Sequence, residues 1–239
     1  MLTIAIIGCG AIGEAVARYL RDAANTRIAA AIVREGRDAR ARALFGEDVA
    51  IVYDIDELAT AIDVVVDCAG HAALRQHGEK ALARGMDVVT VSSGALADAG
   101  LCDRLVAAAQ DGGAQLRVVP GAVGALDALA AGAVGRLTRV TYRGRKPPEG
   151  WRGSAAESKL DLDALSEAAV HFRGNARDAA LEYPKNANVA ATIALAGVGF
   201  EATTVELIAD PAATRNVHEI LADGEFDRLE FQIEGRALP

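Results

Sequence analysis

The sequence predicts an α/β protein in two parts, a doubly wound parallel sheet followed by a smaller α+β domain with an open mixed sheet. Three observations predict it. Up to residue 120, short β-branched runs alternate with Ala-rich stretches of helical character; a glycine-rich turn follows the first run; after Pro120 the runs lengthen and alternate in polarity. Strand–helix–strand alternation with near-continuous apolar strands belongs to parallel sheets covered on both faces, whereas apolar–polar alternation belongs to a sheet with one solvated or site-facing side. At 239 residues the chain exceeds one comfortable core of roughly 100–150 residues. The expected domains are 1–120 and 121–239, with a C-terminal end able to pack back on the first.

In order, the first-half strands are expected at Thr3–Ile7, Ile28–Val33, Asp63–Val66, Asp87–Val91 and Leu116–Val119. Helices are expected at Ala11–Arg21, Gly36–Phe45, Ala72–Arg84 and Asp98–Ala109. After Pro120 come a Gly/Ala-rich turn and helix, Gly121–Val134, then alternating strands at Leu137–Arg145, Glu167–Phe172, Thr203–Ile208, His218–Leu221 and Phe226–Ile233. Helices Ala176–Leu181 and Asn188–Ala196 interrupt them, and Pro184 stops the first.

Composition narrows the function classes. The 52 alanines pad the core, and ten aromatics with 24% charged residues exclude compositional disorder. A net charge of −8 leaves no basic nucleic-acid footprint. Cys9, Cys68 and Cys102 form an odd set without a C-x-x-C pair or metal-ligand spacing, so no metal is expected and a reduced, cytoplasmic setting fits. Leu2–Ile7 lacks a basic flank and reads as a strand rather than a leader. The most membrane-like window, Val118–Val134, carries Asp127 in its middle and falls short of a span.

Gly8-Cys9-Gly10-Ala11-Ile12-Gly13 follows a predicted strand and opens a predicted helix, the context that the G-x-G-x-x-G pattern requires. Gly8 permits the tight turn, Gly10 lets the backbone approach a pyrophosphate, and Gly13 lets helix and strand pack closely. The backbone N–H groups of Ala11 and Ile12 then lie at a helix start that holds anions. The first half is thus Rossmann-type. Where an NAD-preferring site carries an acidic residue after the second strand, this sequence reads Ile32-Val33-Arg34-Glu35. Arg34 suits a 2′-phosphate, so NADP, or both NAD and NADP, are expected. Ala69, in Cys68-Ala69-Gly70-His71, and Ser92-Ser93-Gly94-Ala95 fall at strand ends that face the ligand crevice of such sheets.

In the second half, Asn216, His218 and Ile220 share one face of a strand, with Val217 and Glu219 on the other. His71, His77 and His171 read blandly, His77 as solvated on a charged helix and His71 as a surface or capping residue. The window 136–159 holds seven basic residues against Glu149 and Glu157, a local excess of +5, with Arg139, Thr141, Arg143 and Arg145 on one strand face opposite Val140 and Tyr142. Its two readings are a field for an acidic substrate and a solvated strand edge. The Lys146–Trp151 turn reads as a stiffened border to a site. Lys185 is the leading candidate for a substrate carboxylate or amide contact. Asn186 and Asn188 open a helix, where an Asn cap is the structural alternative.

Four segments carry a resemblance: Pro120-Gly121-Ala122-Val123-Gly124-Ala125-Leu126-Asp127, Arg145-Lys146-Pro147-Pro148, Tyr183-Pro184-Lys185-Asn186-Ala187-Asn188-Val189-Ala190 and Asn216-Val217-His218-Glu219-Ile220. With the glycine loop, and over essentially the whole chain, they resemble the L-aspartate dehydrogenase family. The resemblance implies a homodimer that oxidises L-aspartate with NAD or NADP to iminoaspartate, then oxaloacetate and ammonia, with the imine feeding pyridine-nucleotide synthesis. By position, His218 matches the family's active-site histidine, and Ala122 and Asn188 its dinucleotide contacts; Lys185 and Asn186 fall in the same segment as substrate contacts. The family continues past a G-R-x-L-P segment at which this sequence stops, at Pro239, a departure that, with the tail absent, would weaken packing near the nicotinamide half.

Histidine is the natural base near neutral pH, and amine oxidation needs one. Rival readings make different demands. A semialdehyde-type dehydrogenase needs a thiolate near residues 120–127, which hold no cysteine. A dihydrodipicolinate-reductase-like enzyme needs a histidine in the basic 140–152 stretch, and a non-catalytic NAD(P)-sensing protein needs only the glycine loop.

Overall fold

The computed structural model describes residues 1–184, 186–225 and 228–236. The chain divides into two compact units, Met1–Val119 and Pro120 onward, each with its own sheet.

In the first unit, β1 (Leu2–Ile7) is buried from Ile4 to Ile7 and leads through the glycine loop into α1 (Ala11–Arg21). Then follow β2 (Thr26–Ile32), α2 (Asp38–Phe45), β3 (Ala50–Val52), β4 (Val64–Asp67), α3 (His71–Ala83), β5 (Asp87–Thr90), α4 (Ala99–Gly112) and β6 (Leu116–Val118). All pairings are parallel, in the order β3-β2-β1-β4-β5-β6. The order reverses between β1 and β4, and such a switch point opens a crevice at the strands' carboxyl ends. β3 was not expected, because three residues are too few to show a period. Gly36 turns with φ of 80°, which moves the start of α2 from the expected Gly36 to Asp38. Asp98, the expected first residue of the next helix, instead caps α4 by accepting from Leu101 N, and a 3-10 turn over Ser93–Ala97 precedes it.

The second unit contains α5 (Leu126–Val134), β7 (Leu137–Lys146), β8 (Ala169–Asn175), α6 (Ala176–Glu182), α7 (Asn188–Ala196), β9 (Thr203–Ala209), β10 (Asn216–Gly224) and β11 (Arg228–Gly235). The five-stranded sheet has the order β11-β10-β7-β9-β8; among the described residues only β7 and β9 pair in parallel, so the sheet is mixed as expected. One face buries Val140, Tyr142, Val205, Leu207, Ile220 and Ala222 beneath α5 and α7. β10 is longer at both ends than the expected His218–Leu221, since its polar ends hide the period. Phe226, in the expected last strand, lies outside the described residues.

β7 lies in the middle of the sheet, which overturns the strand-edge reading of its arginines. Each one facing the open side is met by a carboxylate from a neighbouring segment: Arg139 by Asp223, Arg143 by Glu206 at 2.9 Å, and Arg145 by Asp210 at 2.6 Å. Arg143 also lies 3.9 Å from Glu219. The same pairing leaves little of the +5 field for a substrate.

Candidate functional site

The glycine loop forms the floor of a cavity of about 900 Å³ in the first unit, lined by Gly8, Cys9, Gly10, Arg34, Ala69 and His77 among others. Gly8 adopts φ of 98°, a left-handed geometry that a side chain disfavours. A Cβ on Gly13 would stand 2.4 Å from the Gly8 carbonyl oxygen, so only glycine lets the helix start so close to the loop. A Cβ on Gly10 would meet nothing within 4 Å and would fill open space. No side chain caps α1 at Gly10, so the amide groups beyond it, at Ala11 and Ile12, are left to an anion. These features fit a dinucleotide pyrophosphate.

Two loops are braced around that floor. Arg40 Nε donates to the Cys9 carbonyl at 2.8 Å. Buried Asp67, ending β4, accepts from Thr90 Oγ1 and Ser92 Oγ at 2.7 Å each and from Ala69 N at 3.0 Å. That network sets the Ala69 turn, whose Cβ a side chain on Gly8 would approach to 2.9 Å. Arg34, Arg37 and Arg40 all line the cavity, with Glu35 among them. Cys68 lies beside Asp67, and burial and that carboxylate push its thiol up to about 12, so it stays protonated. His77, read as solvated from its charged neighbours, is instead buried on the cavity wall. Its Nδ1 lies 3.9 Å from Asp54 without a hydrogen bond, and burial lowers its pKa. The helical register, which puts His77 beside Leu74 and Gly78 on the inner face, outweighs the charges flanking it in sequence.

In the second unit, His218 on β10 stands opposite Gly144 on β7. Tyr142 and Lys146, two residues to either side of Gly144, share its face of the strand. A Cβ on Gly144 would approach the Tyr142 hydroxyl to 2.6 Å; without one, that hydroxyl reaches diagonally to His218 Nδ1 at 2.8 Å, with the rings stacked 18° from parallel. Tyr142 is buried, its ionisation pushed up by desolvation, so it keeps its proton. Burial, and then the Lys146 charge, hold His218 down to about 4, so its imidazole is neutral at neutral pH. Lys146 is itself lowered to about 8 by burial; its Nζ donates to Asn186 Oδ1 at 2.7 Å and lies 4.8 Å from the centre of the Trp151 ring.

His171 occupies the bulge in β8 between Val170 and Phe172 and is buried against Trp151, with Nδ1 3.0 Å from the Tyr183 hydroxyl. Desolvation, Lys159 and Lys146 bring it to about 4. A satisfied core histidine describes one of its nitrogens; Nε2 is buried without a partner among the described residues. His71 is half-buried at the first position of α3. Asn186 stands beside Lys146; Lys185 lies outside the described residues. Asn188 begins α7, but the N-cap is Ala187 and no side chain caps the helix, so the capping alternative does not hold. Ala122 is exposed in the turn before α5. Sequence reasoning did not single out Tyr142 or Gly144; the alternating T-Y-R-G-R-K run held the signal, a glycine gap in a strand opposite a histidine.

A Rossmann-order sheet with a bare glycine loop, followed by a mixed-sheet unit with a buried tyrosine–histidine pair, defines a two-domain nicotinamide-dependent oxidoreductase. Residues 8–119 match the family described as homoserine dehydrogenase, NAD binding domain, and residues 127–239 match aspartate dehydrogenase, C-terminal. An L-aspartate dehydrogenase of Ruegeria pomeroyi is 54% identical over 99% of this chain and 84% of its own length; one from Ralstonia nicotianae is 47% identical over 100% and 90%. The solved aspartate dehydrogenase of Thermotoga maritima superposes with a TM-score of 0.74 at 28% identity, over 98% of this chain and 89% of that one. The chain belongs to the L-aspartate dehydrogenase family.

Proposed function

We propose that this enzyme oxidises L-aspartate to iminoaspartate with NAD or NADP, and that water then releases oxaloacetate and ammonia. The observation that carries the reading is the neutral His218 imidazole, gripped by Tyr142 and flanked by Lys146, in a chain with a dinucleotide loop. Gly8, Gly10, Ala11, Ile12 and Gly13 would hold the pyrophosphate, with Ala69, Ala122 and Asn188 as further contacts. Arg34, with Arg37 and Arg40 on the same cavity, favours a 2′-phosphate. When bound, the nicotinamide supplies a two-electron acceptor for hydride.

The chain's own residues supply the rest. The α-amine must be neutral before hydride leaves Cα, and His218 accepts that proton, or one from the water that attacks the imine. For Nε2 to be the base, Nδ1 carries the ring proton and donates it to the Tyr142 oxygen. Asn186 and Lys185 are assigned to the substrate. The family resemblance extends the proposal to a homodimer and to an imine that feeds pyridine-nucleotide synthesis; Cys9, Cys68 and Cys102, none of them in a disulfide, accord with a cytoplasmic setting.

The test is direct. Protein mixed with L-aspartate and either NAD or NADP at alkaline pH should generate reduced-cofactor absorbance. Measurable cofactor binding with no signal for any amino acid would reject the reading in favour of a sensor.

A further inference from the structure

We propose that Lys146 is the cation that binds a carboxylate of the dicarboxylate substrate beside His218, with Asn186 orienting it and Trp151 beneath it. This rests on the functional reading above and names the substrate contact within it. Three structural observations support it. First, Lys146 has no carboxylate partner among the described residues, whereas the arginines of its own strand, Arg139, Arg143 and Arg145, all have one. An ammonium withdrawn from water without a counter-ion loses solvation that a bound anion restores. Second, strand geometry places it. Lys146 lies two residues beyond Gly144, which faces His218, so lysine and histidine are diagonal neighbours on one sheet face. Third, Asn186 is oriented for the same task. An ammonium only donates, so the Asn186 oxygen faces Lys146 and its two amide N–H bonds point away, as further donors for a carboxylate.

Trp151 is the single tryptophan of the chain and lies 4.8 Å from the Lys146 nitrogen. Its fluorescence therefore reports on this site independently of turnover. Succinate, an unreactive four-carbon diacid, titrated into the NAD-saturated protein should change Trp151 emission with saturation. Acetate at equal ionic strength should do so far more weakly. In Lys146→Met the succinate affinity should fall at least tenfold, and in Lys146→Arg it should recover in part. In turnover, Lys146→Met should raise KM for L-aspartate at least tenfold and leave KM for NAD within twofold. Its thermal midpoint should not fall, because an unpaired, partly desolvated charge has been removed. Unchanged succinate affinity in Lys146→Met, or a lowered midpoint with proportionate loss of every activity, would overturn the proposal by making Lys146 a structural residue. If the wild type binds succinate through Lys146 yet oxidises no amino acid, the reaction reading fails while this anion site stands.

Discussion

The two units do their work with different parts of the chain. In the first, the proposed recognition element is backbone. One contiguous hexapeptide, Gly8–Gly13, creates it through the absence of side chains, and the nearby polar residues, Asp67, Thr90 and Ser92, serve to hold loops. In the second, the proposed element is a set of side chains from β7, β10 and the segment before α7, brought together by sheet register and a loop contact. A backbone site is written locally and is read locally; a side-chain site exists only after folding. The first therefore turns on side chains that are missing from one short stretch, while the second turns on a gap at Gly144 between strands distant in sequence.

The largest expected effect isolates the side-chain site. His218→Ala should lower kcat by about 10²–10⁴-fold, the usual worth of a general base. Its dinucleotide affinity, measured by titration of reduced-cofactor fluorescence, should stay within a few-fold of wild type. A variant that kept most of its turnover would end the assignment of His218, and one that lost cofactor binding as well would collapse the distinction between the units.

A matched pair of glycine changes tests the contrast more finely. At Gly10 an added side chain enters open space, so Gly10→Val should fold normally and raise KM for the dinucleotide by roughly tenfold or more through lost backbone approach. At Gly144 the new Cβ would stand 2.6 Å from the Tyr142 hydroxyl, so Gly144→Ala should break the Tyr142–His218 bond and lower kcat about tenfold while KM for the dinucleotide holds. Identical effects of the two variants would contradict the division.

The same contrast explains what was legible beforehand. The parallel sheet, the glycine loop and Arg34 at the second strand's end could all be read from neighbouring residues, because strand-to-helix alternation and turn geometry are short-range. The alternating strands of the second unit were visible, and so was the face that His218 shares with Ile220. What remained hidden was pairing. The sequence shows Arg139, Arg143 and Arg145 as one basic stripe, and only the positions of β9 and β10 reveal that carboxylates neutralise it. Tyr142 reads only as a member of the face opposite the arginines, since nothing local says that Gly144 stands opposite a histidine 74 residues away. His77 misled for the converse reason: charged neighbours in sequence point outward on a helix whose inner face carries the histidine.

Acid should separate the units. His171 and His218 are both held to about 4 against an ordinary 6.5, so between those values the unfolded chain takes up protons that the fold refuses. Stability is thus fully present above pH 6.5 and declines as pH falls toward 4, by about 1.4 kcal/mol per pH unit for each histidine. The first unit has one comparable group, His77, shifted in the same direction but opposed by Asp54, whose own carboxyl is held near 2 by Lys80. Hydrogen exchange at pH 5 should therefore show the second unit opening first, and His171→Phe should roughly halve its acid sensitivity. Equal protection loss in both units would refute this.

The smallest expected effect tests the rim of the backbone site, where side chains do enter. Arg34→Asp replaces a cation with a carboxylate able to accept from a ribose 2′-hydroxyl and to repel a 2′-phosphate. Arg37 and Arg40 remain on the same cavity, so part of the attraction for phosphate persists and the penalty is limited. KM for NADP should rise about tenfold, worth roughly 1.4 kcal/mol, and KM for NAD should stay level or fall. Because Arg34 is exposed, thermal stability should not change. Equal losses with both cofactors would place Arg34 on the pyrophosphate instead, and would mean that discrimination between NAD and NADP resides in Arg37 or Glu35 rather than in the residue next to the strand end.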